Sequence, residues 1–282
     1  MKALIAAGGY GVRLLPITKS IPKAMLPLAG KPLIQHVVEE IVSAGVKEIG
    51  ILIRKAQRSI VEHFQTSVSL AHHLHSNRLN SALMVAQNID RLANVTYLYC
   101  DELSSLGDSI LMAASFLEDA PFLLAFADEV GGAAAASAAL LKSFATYQCT
   151  VVCCETRNPY FLPDVSERIT ATSVELGGCR MLPAGTMIGR YLCHPELMRA
   201  LEANSKRASA NFYAALDTLA RRERLLAIPF ESPWWNCNDP IQYLQAILDH
   251  TLCNEVLKRQ VLHYIGEHHG SPCNTPTPPG KP

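Results

Sequence analysis

Short apolar runs alternate along this chain with stretches in which apolar residues return every three or four positions. The runs at residues 3–7, 49–53, 95–99, 122–127, 150–154 and 225–230 have strand length. The runs at 49–53 and 122–127 are nearly unbroken, as in a parallel sheet covered on both faces. Leu33, Ile34, Val37, Val38, Ile41 and Val42 recur at helical spacing, with Gly45 placed as the C-terminal cap. Residues 59–92, 109–117, 131–147 and 211–223 also read as helix, and a last helix contains Tyr243 and Leu244. Strand, helix and strand between residues 3 and 53 make a βαβ unit. An α/β fold is expected.

The first 34 residues carry the densest chemistry. The opening strand runs into Gly8, Gly9 and Gly11, with Arg13 behind them, then Pro16, Pro22, Pro27 and Pro32 with Lys19, Lys23 and Lys31 between. Glycines after a strand let several backbone N–H groups converge, and such a nest favours an anion. Arg13 supplies a forked donor and Lys23 a point charge, a combination suited to polyphosphates. The prolines forbid a long helix, so an extended flap is expected to cover the site. On its own, Gly-x-Gly-x-Arg is most often an ordinary turn. The segment lacks the third glycine of a dinucleotide fingerprint and the Gly-Lys-Ser/Thr ending of a P-loop.

The whole string is more specific. Gly9-x-Gly11-x-Arg13-x-x-Pro16-x-Thr18, then Pro22-Lys23, Leu26-Pro27 and Lys31-Pro32-Leu33-Ile34, resembles the sugar-phosphate nucleotidylyltransferases, most closely the bacterial UTP–glucose-1-phosphate uridylyltransferases. Residues 59–70 are similar to the stretch where those enzymes enter a helical insertion. The resemblance implies a Rossmann-like, mainly parallel mixed sheet flanked by helices, over residues 1–265. It implies uridylyl transfer from UTP to glucose 1-phosphate with pyrophosphate released. It further implies that Arg13 and Lys23 act in catalysis. Ala7, Gly8, Gly9, Gly11, Arg13, Lys23, Cys100, Leu106 and Gly107 would line the nucleotide, Glu175 would bind the sugar, and Asp128 and Asn236 would hold Mg²⁺. Asp128 ends an apolar strand, where a carboxylate can hold Mg²⁺ against phosphates.

Several positions depart from the family pattern. Cys100 stands where the family has a base-reading glutamine, and a thiol cannot supply an amide's paired donor and acceptor. Ser105, Asp108 and Ser109 replace a glycine, a histidine and an alanine in the following turn. A Tyr-Gly pair beside the sugar gives way to residues within 166–169. Leu176 replaces the lysine that clamps the sugar phosphate, and Asn236 an aspartate, with Asp239 nearby as a possible substitute. Losing one preorganised donor costs about 2.7–4 kcal/mol, roughly 10²–10³ in rate. The competing expectation is therefore a weakened or inactive relative that binds nucleotide or serves as a regulatory partner. A third is an enzyme for a smaller phosphate.

Composition narrows the rest. With 282 residues, 49% of them hydrophobic, the chain can bury a large core. Formal net charge is zero, which gives no reason to expect nucleic acid or a membrane surface as partner. Nine cysteines without Cys-x-x-Cys pairing point to a reducing cytoplasm, with Cys153 and Cys154 as packing residues. His72, His73 and His75 are expected on an exposed helix face rather than around zinc. Residues 266–282 read as a disordered tail, with His268 and His269 solvated at its edge. The family pattern also suggests a homo-oligomer.

Overall fold

The computed structural model describes residues 1–131, 135–155, 186–205, 209–253 and 255–269. It opens with β1 (Lys2–Ala6), three 3₁₀ turns (Val12–Leu14, Ile17–Lys19, Lys23–Met25) and a small hairpin, β2 (Pro27–Leu28) and β3 (Lys31–Pro32). α1 (Leu33–Ser43) and β4 (Glu48–Ile53) complete the expected βαβ unit. Next come α2 (Arg58–Phe64), α3 (Val68–Ser76), α4 (Asn80–Asp90) and β5 (Asn94–Tyr99). α5 (Leu106–Met112), α6 (Ala114–Leu117), β6 (Phe122–Phe126), β7 (Glu129–Gly131), α7 (Ala135–Tyr147) and β8 (Thr150–Glu155) follow. Beyond them lie β9 (Thr186–Cys193), α8 (Glu196–Ser205), α9 (Phe212–Arg221), β10 (Leu225–Phe230), β11 (Trp234–Asn236), α10 (Pro240–Leu252) and α11 (Glu255–His269).

Seven strands form one sheet in the order β10-β8-β9-β6-β1-β4-β5. β9 runs antiparallel to β6 and β8; the other pairings are parallel. The sheet is mixed and mainly parallel, as expected. Its apolar strands follow from burial on both sides. Ala3 and Ile5 pack into one core with Ile51, Ala125 and the α1 residues Leu33, Val37 and Ile41. Leu4, Leu52 and Leu124, one position out of phase, pack into another with residues of α5, α8 and α9. Side chains alternate across a strand, so both phases must be apolar. Each Leu, Ile or Val side chain buried in this way contributes about 1.5–3 kcal/mol.

The topology also locates a crevice. From β1 the chain builds β4 and β5 on one side, then returns to add β6 on the other. Strand order reverses between β1 and β6, and open α/β sheets bind ligands outside the carboxyl ends of strands at such a point.

Some boundaries differ from the expectation. α7 begins at Ala135 rather than near residue 131, because Gly131 closes β7, which pairs with β11. α5 begins at Leu106, since Ser105 forms a capping box with Asp108 that starts a helix there. α11 continues to His269, so the helix passes the boundary expected at residue 266; residues 270–282 lie outside those described. His72, His73 and His75 are exposed on α3, and Cys153 and Cys154 are buried in β8. Among the described residues, no helix is long and apolar enough to cross a membrane.

Candidate active site

The glycine loop leaves β1 at the point where strand order reverses. Ala7 is fully buried, donating its N–H to the Leu52 carbonyl (3.0 Å) and accepting from Gln57 Nε2 (2.8 Å). Its backbone anchors the loop to β4 and to the turn that follows it. Gly8 is half-buried and Gly9 exposed. Gly11 adopts a left-handed φ of +66°, which favours glycine, and its carbonyl accepts from Thr18 Oγ1 (2.7 Å). Arg13 is exposed in the first 3₁₀ turn, so the segment expected as an extended flap is a series of tight turns. Prolines explain both forms, since they set φ and remove donors without permitting a long helix.

Lys23 returns across this loop. A Cβ on Gly9 would lie 2.9 Å from Lys23 Cε, and one on Gly11 would lie 3.1 Å from Lys23 Cβ. The glycines thus leave the corridor through which the lysine passes. Lys23 Nζ reaches Asp128 Oδ2 at 2.5 Å, with the two side chains only 12% and 8% exposed. Asp128 lies two residues beyond the end of β6, and the intervening Ala127 N–H bonds to the Ala6 carbonyl at 3.1 Å. Two residues singled out separately in the sequence are therefore one charge pair astride the β1/β6 crevice.

Asn236 belongs to the same arrangement. It ends β11 in register with Glu129, and the following Cys237 N–H donates to the Asp128 carbonyl at 2.8 Å. Its Oδ1 accepts from the Asn238 N–H (3.0 Å), and Asn238 Oδ1 is buried without a hydrogen-bond partner among the described residues. Asp239, considered as a substitute metal ligand, instead caps α10, its Oδ1 accepting from the N–H groups of Ile241 and Gln242. That carboxylate oxygen is committed to the helix start.

Beneath the pair lies a buried network that sequence reading missed. Arg190, fully buried on β9, bonds to Glu40 through Nε and Nη2 (3.0 and 2.7 Å). It also donates to the carbonyls of Phe126, Gly189 and Glu129, and lies over the Trp234 ring. Glu129 accepts from the Gly189 N–H (2.5 Å) and Trp234 Nε1 (2.8 Å). Burial first, then the neighbouring Asp128, raises its pKa to about 7. These contacts hold the β6–β7 corner that presents Asp128. The available signal was an arginine inside an otherwise apolar strand, since an unpaired buried charge is prohibitive.

On the β4–β5 side of the crevice lie the remaining residues expected to line the nucleotide. Cys100 is 8% exposed and belongs to the same core as Leu4, Leu52 and Ile110, and burial raises the pKa of its thiol. Gly107 is buried against another segment: a Cβ there would lie 2.3 Å from the Ala210 carbonyl oxygen. Ser105 Oγ donates to that carbonyl, and Asp108 accepts from the Ala210 N–H and the Ser209 hydroxyl. The altered turn thus latches residues 209–210, with Leu106 half-buried in the core beside it. Glu175, Leu176 and the 166–169 stretch lie outside the described residues.

Comparison with known proteins agrees with this geometry. The nucleotidyl transferase family model matches residues 2–159. The chain is 29% identical over 287 residues to UTP–glucose-1-phosphate uridylyltransferase of Streptococcus pyogenes, covering 94% of this chain and 93% of that one. It is 30% identical over 262 residues to the enzyme of that name from Pseudomonas aeruginosa, covering 87% and 94%. A UDP-glucose pyrophosphorylase solved with UDP-glucose superposes with a TM-score of 0.72 at 27% identity, covering 90% of this chain and 99% of that one. A UTP-bound enzyme from Acinetobacter baumannii shares the fold, with a TM-score of 0.79 at 21% identity and coverage of 95% and 99%. With its glycine loop, its charge pair at the strand-order reversal and a family match across more than half its length, this chain belongs to the nucleotidyl transferase family.

Proposed function

We propose that the chain transfers a uridylyl group from UTP to a sugar 1-phosphate, with glucose 1-phosphate as the acceptor, and releases pyrophosphate. A phosphate oxygen of the sugar 1-phosphate attacks the α-phosphorus of UTP. The bond from that phosphorus to the α–β bridging oxygen breaks, and its electron pair leaves on pyrophosphate. Such a reaction depends on alignment and charge neutralisation more than on proton transfer. The observation that carries the proposal is the Lys23–Asp128 pair at the β1/β6 crevice, beside the glycine loop.

Each residue then has a task. Gly8, Gly9 and Gly11 let the backbone approach the triphosphate closely, and Arg13 stands behind them to neutralise it. Lys23 balances Asp128 and can turn its ammonium toward the phosphates. Asp128 and Asn236 offer hard oxygen donors, and Asn238 Oδ1, buried in the same turn with no hydrogen-bond partner among the described residues, is a further donor suited to Mg²⁺. Mg²⁺, when held there, supplies positive charge against the phosphate oxygens. Glu175 would contact the sugar hydroxyls.

The test is pyrophosphate release with Mg²⁺ across a matrix of nucleoside triphosphates and sugar 1-phosphates. Turnover is expected with UTP and glucose 1-phosphate. Nucleotide binding without turnover anywhere in the matrix would overturn the transferase proposal in favour of a nucleotide-binding regulator.

A further inference from the structure

Cys100 leaves the nucleotide's base without the amide that would read its edge, yet a donor and an acceptor stand next to it. Arg54 follows β4 directly, and the Cys100 N–H bonds to the Ile53 carbonyl at 2.8 Å, so the two strand ends are neighbours. The Arg54 side chain is only 14% exposed, with its guanidinium carbon 3.9 Å from the centre of the Tyr10 ring. Arg54 Nε lies 3.7 Å from Glu102 Oε2, and the Tyr10 hydroxyl donates to that same oxygen at 2.5 Å. Burial pushes the Cys100 thiol up, while a Ser109 hydrogen bond and then the Arg54 charge pull it back. Arg54 Nη1 is buried without a hydrogen-bond partner among the described residues.

A buried guanidinium N–H left unpaired is costly, so such a group is expected to meet a ligand acceptor. Tyr10 comes from the glycine loop, Arg54 from the end of β4 and Glu102 from the loop after β5, so the cluster joins the carboxyl ends of β1, β4 and β5 on one side of the crevice. We propose that Arg54 and Glu102 together read the base, Arg54 donating to a ring carbonyl while Glu102 accepts from the adjacent ring N–H. Tyr10 holds both by stacking on one and hydrogen bonding the other. A carboxylate has spare lone pairs beyond the one that Tyr10 uses. The pattern selects a base with neighbouring C=O and N–H groups, as in uracil. It rejects cytosine, whose corresponding edge presents an amine to Arg54 and a ring nitrogen lone pair to Glu102. The inference rests on the transferase proposal and names the residues that set its base preference.

UTP and CTP differ only along this edge, so their dissociation constants, measured by calorimetry with Mg²⁺, report on it directly. The wild-type chain should favour UTP by roughly 10–100-fold, the range expected when a site's polar groups are mismatched rather than paired. Glu102→Gln should bring the two constants within about threefold of each other, because an amide can donate to cytosine's ring nitrogen. Glu102 is exposed, so this variant should fold; Arg54→Gln should narrow the ratio in the same way. Equal binding of UTP and CTP by the wild type would overturn the base-reading role and leave the transferase proposal standing. So would a parallel fall in both affinities with the ratio unchanged, since that is the mark of a merely structural cluster. Failure to bind any triphosphate would overturn both.

Discussion

Replacing Lys23 by methionine tests the charge pair most directly. Methionine keeps much of the lysine's length and fills the corridor past Gly9, so the main loss is the ammonium. At 2.5 Å, the Lys23–Asp128 attraction is about 7 kcal/mol for an effective dielectric of ~20. Desolvation of both groups offsets much of that, because the side chains are 12% and 8% exposed. What remains in the variant is a nearly buried carboxylate with no ammonium beside it, a change that typically costs about 3–5 kcal/mol. For a domain of this size that is a fall in Tm of roughly 6–15 °C. Urea unfolding at pH 7 measures the loss, and millimolar Mg²⁺ should recover part of it by supplying the missing charge. Asp128→Asn and the double variant complete a cycle in which the two losses should not add. A Lys23→Met penalty below about 1 kcal/mol, or simple additivity, would refute a coupled buried pair.

Other expectations can be checked on the same protein. Glu129, raised to about 7, contributes stability that is complete below its unfolded value and fades as pH rises through 7. Chemical unfolding should therefore show a decline on the order of 3 kcal/mol between pH 5 and pH 8, flattened in Glu129→Gln. Arg190→Met leaves Glu40 buried without its cation and should cost about 3–5 kcal/mol in urea unfolding, whereas exposed Arg221→Met should cost less than ~0.5 kcal/mol. Asn236→Asp adds a further carboxylate near Asp128 and Glu129, so thermal unfolding should show a lower Tm without metal and a larger Mg²⁺-induced rise than in the wild type.

Local patterns determined much of this protein. The apolar runs specify strands buried on two faces, and helical spacing from Leu33 to Val42 specifies α1, because burial acts on periodicities readable within a few residues. The glycine loop, Arg13, Lys23 and Asp128 were visible as residue types in an ordered string. Tertiary structure decided which of them meet. Lys23 and Asp128 are 105 positions apart, Tyr10 and Glu102 are 92, and Glu40 and Arg190 are 150. No local propensity encodes such distances; they arise from the strand order that brings β6 and β4 to either side of β1. The three-residue strands β7 and β11 escaped notice because they are too short to establish a period. The surroundings of Cys100 and Gly107 were not legible for a related reason: burial of the thiol and the close approach of Ala210 depend on segments far away in sequence. Sequence named the chemical groups, and packing set their partners, because a side chain's charge and hydrogen-bonding capacity are its own while its neighbours belong to the fold.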